Sequence, residues 1–230
     1  MHAILVAAGS SRRMGFDKLL APLAGQPVLW HSIRALAQCA EVESITLVTR
    51  PELFPLAARL AESAAPGLPF FLVAGGAERH LSVSAGLEKL AADGLVAVHD
   101  AARPLLTPRA FSGCLALARQ HAAASCAVPV ADTVKRANES RMVLGSVERV
   151  GLWAMQTPQM FELPLLRQAY AGIIARGELV TDEVSAMERL GRTVALFDNP
   201  DWNFKITYPR DIELAEMVLA SRARESVGIS

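Results

Sequence analysis

Short apolar runs alternate along the chain with stretches whose apolar residues recur at helical spacing. Residues 2–8 are apolar and stop at Gly9, Ser10 and Ser11, as expected of a buried strand that hands the chain to a loop. Between 27 and 39 the apolar positions Val28, Leu29, Ile33, Leu36 and Ala37 fall on one helical face. The same reading predicts strands at 44–49, 70–73, 95–99 and 125–130, with helices over 52–64, 81–92 and 108–121. Repeated βα units predict a doubly wound, mainly parallel α/β sheet with helices on both faces.

The rhythm breaks at about 132–152, where Thr133, Val134, Met142, Val143, Leu144 and Val147 flank a polar stretch. This reads as a protruding β-hairpin arm. A lone hairpin is marginal in water, so its apolar positions imply packing on something else, most economically a second copy of the chain. Helices are predicted over 163–176 and 182–190, a strand over 193–197, and a last helix from 209 to about 222. The tail beyond Ala223 lacks apolar periodicity and is expected to fray. No repeat or linker divides the chain, so 1–230 reads as one domain with an arm at about 132–152.

Composition narrows the class. Over 230 residues, 23 Lys and Arg balance 23 Asp and Glu, and 52% of positions are hydrophobic. Such a chain buries a sizeable core and offers no global attraction to nucleic acid or an anionic membrane, so any anion site must be local. Cys39, Cys114 and Cys126 are widely spaced among Ala and Leu and read as core thiols in a reducing compartment. The first residues lack a basic segment and are too short a run for a signal peptide or a membrane span. The expected location is the cytoplasm.

Several segments carry candidate chemistry. The loop after the first strand, Ala7-Ala8-Gly9-Ser10-Ser11-Arg12-Arg13-Met14-Gly15-Phe16-Asp17-Lys18, combines small residues with three cations. Backbone N–H groups there can approach a phosphate closely, and the cations can neutralise it. Its spacing is neither a dinucleotide fingerprint nor a P-loop. His99-Asp100-Ala101-Ala102-Arg103-Pro104 sets a carboxylate and a guanidinium at the end of a predicted strand, where α/β folds bind ligands. Asp100 could accept hydroxyls or hold Mg²⁺, Arg103 could clamp phosphate, or the two could simply pair; His99 reads as a packed core residue. Gln156-Thr157-Pro158-Gln159 reads as a stiffened loop, and Thr181-Asp182-Glu183 as a helix N-cap. In 203–207, alternation puts Lys205 opposite Phe204 and Ile206, facing either the ligand edge or water. Nucleophile-elbow and zinc-cage spacings are absent.

Taken with Gly75-Gly76-Ala77-Glu78-Arg79 and Ser82-Val83, and with Pro129-Val130 and Asp132-Thr133-Val134-Lys135, these motifs run in an order that resembles the 2-C-methyl-D-erythritol 4-phosphate cytidylyltransferases of the non-mevalonate isoprenoid pathway. The resemblance is collinear over nearly the whole chain. It implies a Rossmann-like nucleotidyltransferase fold that transfers CMP from CTP to the sugar phosphate, with Mg²⁺ held mainly by the triphosphate and Asp100 as a candidate ligand. It implies that Arg13, Lys18 and Lys205 surround the CTP phosphates and are catalytic. Ala7, Ala8, Gly9, Gly76, Ala77 and Ser82 would border the cytidine. Asp100, Arg103, Thr157 and Thr181 would meet the acceptor. Thr133 and Arg149, on the arm of a homodimer, would reach into the partner's site.

The chain departs from that pattern in the first loop. Ser11 stands where glycine is usual, Asp17 stands where proline commonly precedes the lysine, and the spacing from Gly15 to Lys18 is about two residues short. Asp17 brings a negative charge beside the expected phosphate site. This loop is closer to molybdenum-cofactor nucleotidyltransferases, which lack the 99–104, 156–159 and 203–207 motifs. A ribitol 5-phosphate cytidylyltransferase shares most of the motifs, and a non-catalytic nucleotide-binding regulator on the same fold is the rival of another class.

Overall fold

A computed structural model describes residues 1–9, 15–91 and 93–228. In chain order the first half has β1 (His2–Val6), the two-residue strands β2 (Pro22–Leu23) and β3 (Gln26–Pro27), α1 (Val28–Ala37), β4 (Ser44–Thr49), α2 (Phe54–Ala64), β5 (Phe70–Ala74), α3 (Arg79–Lys89), β6 (Leu95–Asp100) and α4 (Pro108–His121). The second half has β7 (Ala123–Pro129), β8 (Val134–Ala137), β9 (Val143–Val147), β10 (Trp153–Glu162), α5 (Leu163–Arg176), α6 (Glu183–Arg189), β11 (Ala195–Asp198) and α7 (Arg210–Val227).

Among the described residues the central sheet has seven strands in the order β11-β7-β10-β6-β1-β4-β5. Only β10 runs antiparallel to its neighbours, β6 and β7. The mainly parallel, doubly wound reading therefore holds. Because strand side chains alternate, Leu5 and Leu47 enter one core with Leu29, Leu36, Phe111 and Leu115. Ile4 and Val48 enter the other, with Val83, Phe161, Leu166 and Tyr170. A strand buried on both faces is the reason β1 and β4 read as unbroken apolar runs.

One glycine brings the site together. A Cβ on Gly86 of α3 would lie 2.9 Å from Ile4 Cγ2 and 3.0 Å from Val48 Cγ2. Its absence lets α3 lie close on β1 and β4, with Arg79 at the first turn beside the sheet edge.

The structure differs from the sequence reading in three places. Residues 156–159 lie inside β10, not in a loop: Gln156, Thr157 and Gln159 are buried, and the Thr157–Pro158 peptide is cis. Residues 203–207 form no strand, and both Asn203 and Ile206 are buried. The last helix runs on to Val227 instead of fraying near 222, and Arg222 within it donates to Leu105 O at 2.9 Å and Trp202 O at 3.0 Å. The arm is present as the antiparallel pair β8 and β9. Cys39, Cys114 and Cys126 are buried free thiols.

Candidate active site

Parallel pairing continues just past the strand ends, so the loops after β1, β4, β5 and β6 leave the sheet at one edge. Ala7 N donates to Val48 O at 2.8 Å, Gly75 N to Thr49 O at 2.9 Å, and Ala101 N to Val6 O at 3.0 Å. The first and third of these loops touch. A Cβ on Gly75 would stand 2.4 Å from Ala8 Cβ, so only glycine lets them close. Ser82 is buried; its Oγ accepts from Gly76 N at 3.1 Å and donates to Glu78 O at 3.1 Å. It shapes the 75–78 turn from inside. Ala7 is buried, Ala8 half-buried, and Gly9, Gly76 and Ala77 are exposed on the loop tips.

Asp100, at the end of β6, is the centre of the edge. Its Oδ1 accepts from Arg79 Nη2 at 3.2 Å, and its Oδ2 from Lys205 Nζ at 2.8 Å. Arg103 Nε lies 3.8 Å from the same Oδ2. Burial by itself would push this carboxyl up; Arg79, then Lys205 and Arg103, hold it well below the usual carboxylate range. Arg103 uses its fork on backbone, donating from Nη1 to Asn203 O at 2.8 Å and from Nη2 to Met155 O at 3.3 Å.

Behind Asp100 runs a closed chain of hydrogen bonds. The Asp100 N–H donates to Thr157 Oγ1 at 3.0 Å. The Thr157 hydroxyl lies 2.9 Å from His99 Nδ1, and His99 Nε2 lies 3.0 Å from Arg103 O. A carbonyl can only accept, so Nε2 carries the proton and Nδ1 accepts from Thr157. Burial drives the imidazole down to about 4, so it is neutral. His99 is thus a packed core residue, as read from its place after an apolar strand. The hydroxyl of Thr157 is engaged inside the fold.

Lys18 Nζ donates to Ile206 O at 2.8 Å, tying the end of the first loop to the segment that carries Lys205. Asp17, which raised an electrostatic objection, is paired with Arg50 at the end of β4, and its Oδ1 accepts from Leu19 N at 3.1 Å. Its charge is balanced locally. Arg13 lies outside the described residues. Thr133 and Arg149 sit exposed on the arm, where Arg149 Nη1 donates to Ala131 O. Thr181 is exposed, its Oγ1 3.3 Å from Ser185 Oγ. The residue that caps α6 is Asp182, whose Oδ1 accepts from Ser185 N at 3.0 Å. The structure therefore joins Lys18, Asp100, Arg103, Thr157 and Lys205 at one edge, and sets Thr133 and Arg149 on the arm.

Arg79, Glu183, Tyr170 and Gln159 form a network beside this edge that the sequence reading did not single out. Arg79 Nη1 donates to Glu183 Oε1 at 2.6 Å and Nη2 to Oε2 at 3.0 Å. Tyr170 OH donates to Oε1 at 2.8 Å. Gln159 Oε1 accepts from the N–H groups of Glu183 and Val184, each at 3.1 Å, and Nε2 donates to Asp182 Oδ2 at 3.0 Å. The signal that could have found them is that Arg79, Gln159 and Glu183 lie within motifs of the resemblance; Tyr170 gave none. Among the described residues no group of three or more His, Cys, Asp and Glu is disposed to hold a metal ion. Also among them, no helix is long and apolar enough to cross a membrane.

A mainly parallel sheet that gathers a small-residue loop, two lysines and a cation-ringed carboxylate at the strand ends is the arrangement of a phosphate-binding α/β enzyme, and the relatives of this chain put it among the nucleotidyltransferases. The family model for 2-C-methyl-D-erythritol 4-phosphate cytidylyltransferase matches residues 1–221. The enzyme of that name from Ralstonia nicotianae is 41% identical over 238 residues, covering 96% of this chain and 92% of its own length. That from Halalkalibacterium halodurans is 39% identical, covering 96% and 97%. Among solved structures, the Thermus thermophilus 2-C-methyl-D-erythritol 4-phosphate cytidylyltransferase aligns with a TM-score of 0.79 at 28% identity, over 94% of this chain and 98% of that one. The 4-diphosphocytidyl-2C-methyl-D-erythritol synthase from Anaerococcus prevotii aligns with a TM-score of 0.82 at 27% identity, over 95% of each. The chain belongs to the 2-C-methyl-D-erythritol 4-phosphate cytidylyltransferase family.

Proposed function

We propose that the protein transfers CMP from CTP to 2-C-methyl-D-erythritol 4-phosphate, releasing pyrophosphate, as a step in non-mevalonate isoprenoid precursor synthesis. The observation that carries this reading is the tie between Lys18 and Ile206, which sets the first loop's lysine and Lys205 at the same end of the sheet as Asp100. In the reaction an acceptor phosphate oxygen attacks the α-phosphorus as the bond to the β-phosphate oxygen breaks, and pyrophosphate takes up the electron pair. Both reactants are anions, so their repulsion is the main obstacle. Arg13, Lys18 and Lys205 lower it by fixed positive charge, without a protein nucleophile. The loops carrying Ala7, Ala8, Gly9, Gly76 and Ala77, braced by Ser82, take the cytidine. Asp100, Arg103 and Thr181 face the acceptor, and Thr157 acts from behind Asp100.

Asp100 does not suit a protein-held Mg²⁺, because Arg79, Arg103 and Lys205 already surround its oxygens. The divalent cation belongs with the CTP phosphates. Met142, Val143 and Leu144 on the arm are each more than three-fifths exposed, which supports burial against a second copy; in that dimer Thr133 and Arg149 would reach the partner's site. A monomer by sedimentation would refute that dimer. The buried free thiols support a cytoplasmic location. The test of function is pyrophosphate release from CTP and Mg²⁺ with 2-C-methyl-D-erythritol 4-phosphate or ribitol 5-phosphate. Turnover on the first is expected; preference for the second, or CTP binding with turnover on neither, refutes the reading.

A further inference from the structure

Arg79 is a guanidinium that joins three separate parts of the edge. It sits in the first turn of α3, directly after the 75–78 loop, and its fork grips Asp100 at the end of β6 and Glu183 at the start of α6. Glu183 is fully buried, and its other contact, the Tyr170 hydroxyl, comes from α5. The segment before it carries Thr181 and is fastened by Gln159 from β10. Buried ion pairs contribute little net stability compared with apolar residues of the same volume, so the fold alone gives no reason for this one. Its position does give a reason. With Arg79 held between two carboxylates, the Oδ1 of Asp100 is fixed and Oδ2 is left for Lys205.

We infer that Arg79 and Glu183 form a positioning pair, which sets the aim of the Asp100 carboxylate and the placement of the 179–183 segment for the phosphorylated acceptor. The inference rests on the proposed reaction for the identity of that acceptor. Removing the Glu183 charge leaves Arg79 with Asp100 as its sole carboxylate partner and draws Asp100 away from Lys205. Replacing Arg79 by lysine keeps a charge but loses the fork that holds both carboxylates at once.

The test uses the full chain with Glu183→Gln, Arg79→Lys and Arg79→Gln. With CTP and 2-C-methyl-D-erythritol 4-phosphate, Glu183→Gln and Arg79→Lys are expected to raise the acceptor KM about tenfold, while Glu183→Gln leaves the KM for CTP within about threefold of wild type. A second readout needs no turnover: the carboxyl carbon signal of Asp100, assigned by its loss in Asp100→Asn. The groups facing that carboxylate are Arg79 from α3, Arg103 from the loop after β6, Lys205 from 203–207, and the neutral His99 and Thr157 hydroxyl behind it. At neutral pH, where this carboxylate is ionised, that signal should shift in Arg79→Gln and also in Glu183→Gln, although Glu183 does not itself touch Asp100. An unchanged acceptor KM in a folded Glu183→Gln or Arg79→Lys, or an unmoved Asp100 signal in Glu183→Gln, overturns the inference. So does failure of all three variants to fold, which would make the pair purely structural. If the wild type does not turn over the acceptor, the proposed function fails while the carboxyl signal still decides this one.

Discussion

Replacing Lys205 by methionine keeps the length of the side chain and removes its charge, which separates catalysis from folding at the residue best placed to show both. The ammonium donates to Asp100 Oδ2 at 2.8 Å, yet the side chain is 39% exposed. At that exposure water screens the pair, and its loss should cost the fold no more than about 1 kcal/mol. Asp100 is not left as an uncompensated buried charge, because Arg79 and Arg103 still flank it. The rate is a different matter. Loss of one preorganised charge donor next to charge that develops during reaction typically lowers kcat by about 10²- to 10³-fold, or about 2.7 to 4 kcal/mol of barrier. Lys205→Met should therefore show kcat reduced at least about a hundredfold in a pyrophosphate-release assay, with a urea midpoint close to wild type. Lys205→Arg should recover part of the rate. A folded Lys205→Met with kcat within about threefold of wild type would remove Lys205 from the catalytic set.

Two further predictions concern the hydrogen-bond chain behind Asp100. Thr157→Val preserves shape but leaves the buried Asp100 N–H and His99 Nδ1 without partners, so unfolding free energy should fall by about 2 to 4 kcal/mol. Thr157→Ser should stay within about 1 kcal/mol of wild type; denaturation curves of equal stability for valine and wild type would show that the chain contributes nothing. His99 gives a pH signature. Its folded value of about 4 lies below the ordinary 6.5, so the unfolded chain takes up a proton that the native state refuses. Stability is fully present above about pH 6.5 and declines as pH falls toward 4, by about 3 kcal/mol in total for this one group. Urea titrations between pH 7.5 and 4.5 should show this slope in the wild type and a shallower one in His99→Gln; parallel slopes would refute the assignment.

Much of the fold was legible because strands such as β1, β4 and β6 are buried on both faces and helices on one, so hydrophobic runs and helical spacing report the elements directly. The candidate site was legible where charged residues fall at or just after a strand end, as with Asp100 and Arg103 at the end of β6, and where cations gather in the loop after β1, as with Lys18. What escaped has a common cause. Gln156, Thr157 and Gln159 look like loop residues because polar side chains beside a proline usually meet water. Here they meet Asn199, His99 and α6, and the buried strand accepts them because their hydrogen bonds are made internally. Lys205 lies in a segment whose apparent alternation is broken by the burial of Asn203, which donates to Thr157 O at 2.7 Å. Arg79 and Glu183 lie more than a hundred residues apart, and nothing in local patterning tells a charge that will be buried against a distant partner from one on a solvated helix face. The Arg222 contacts that carry α7 past the expected end are of the same kind, a long side chain reaching carbonyls far away in sequence.

The charge balance of the edge explains why this cluster can be both buried and receptive. Arg79, Arg103 and Lys205 face Asp100 and Glu183, so the group retains one uncompensated positive charge. Were the carboxylates equal in number to the cations, a phosphate arriving there would have to break an ion pair before gaining one. Were the carboxylates absent, three cations at this burial would repel one another and lose their hydration without return. The two arginines are the more buried and are spent on holding geometry: Arg103 on backbone carbonyls, Arg79 on both carboxylates. Lys205 is the most exposed of the five and, held on Asp100 Oδ2 at 2.8 Å, is the member whose ammonium can meet an incoming phosphate while keeping that partner. The division follows from the side chains themselves, since a rigid fork suits partners on fixed elements and an ammonium with three donors suits a partner and a ligand at once.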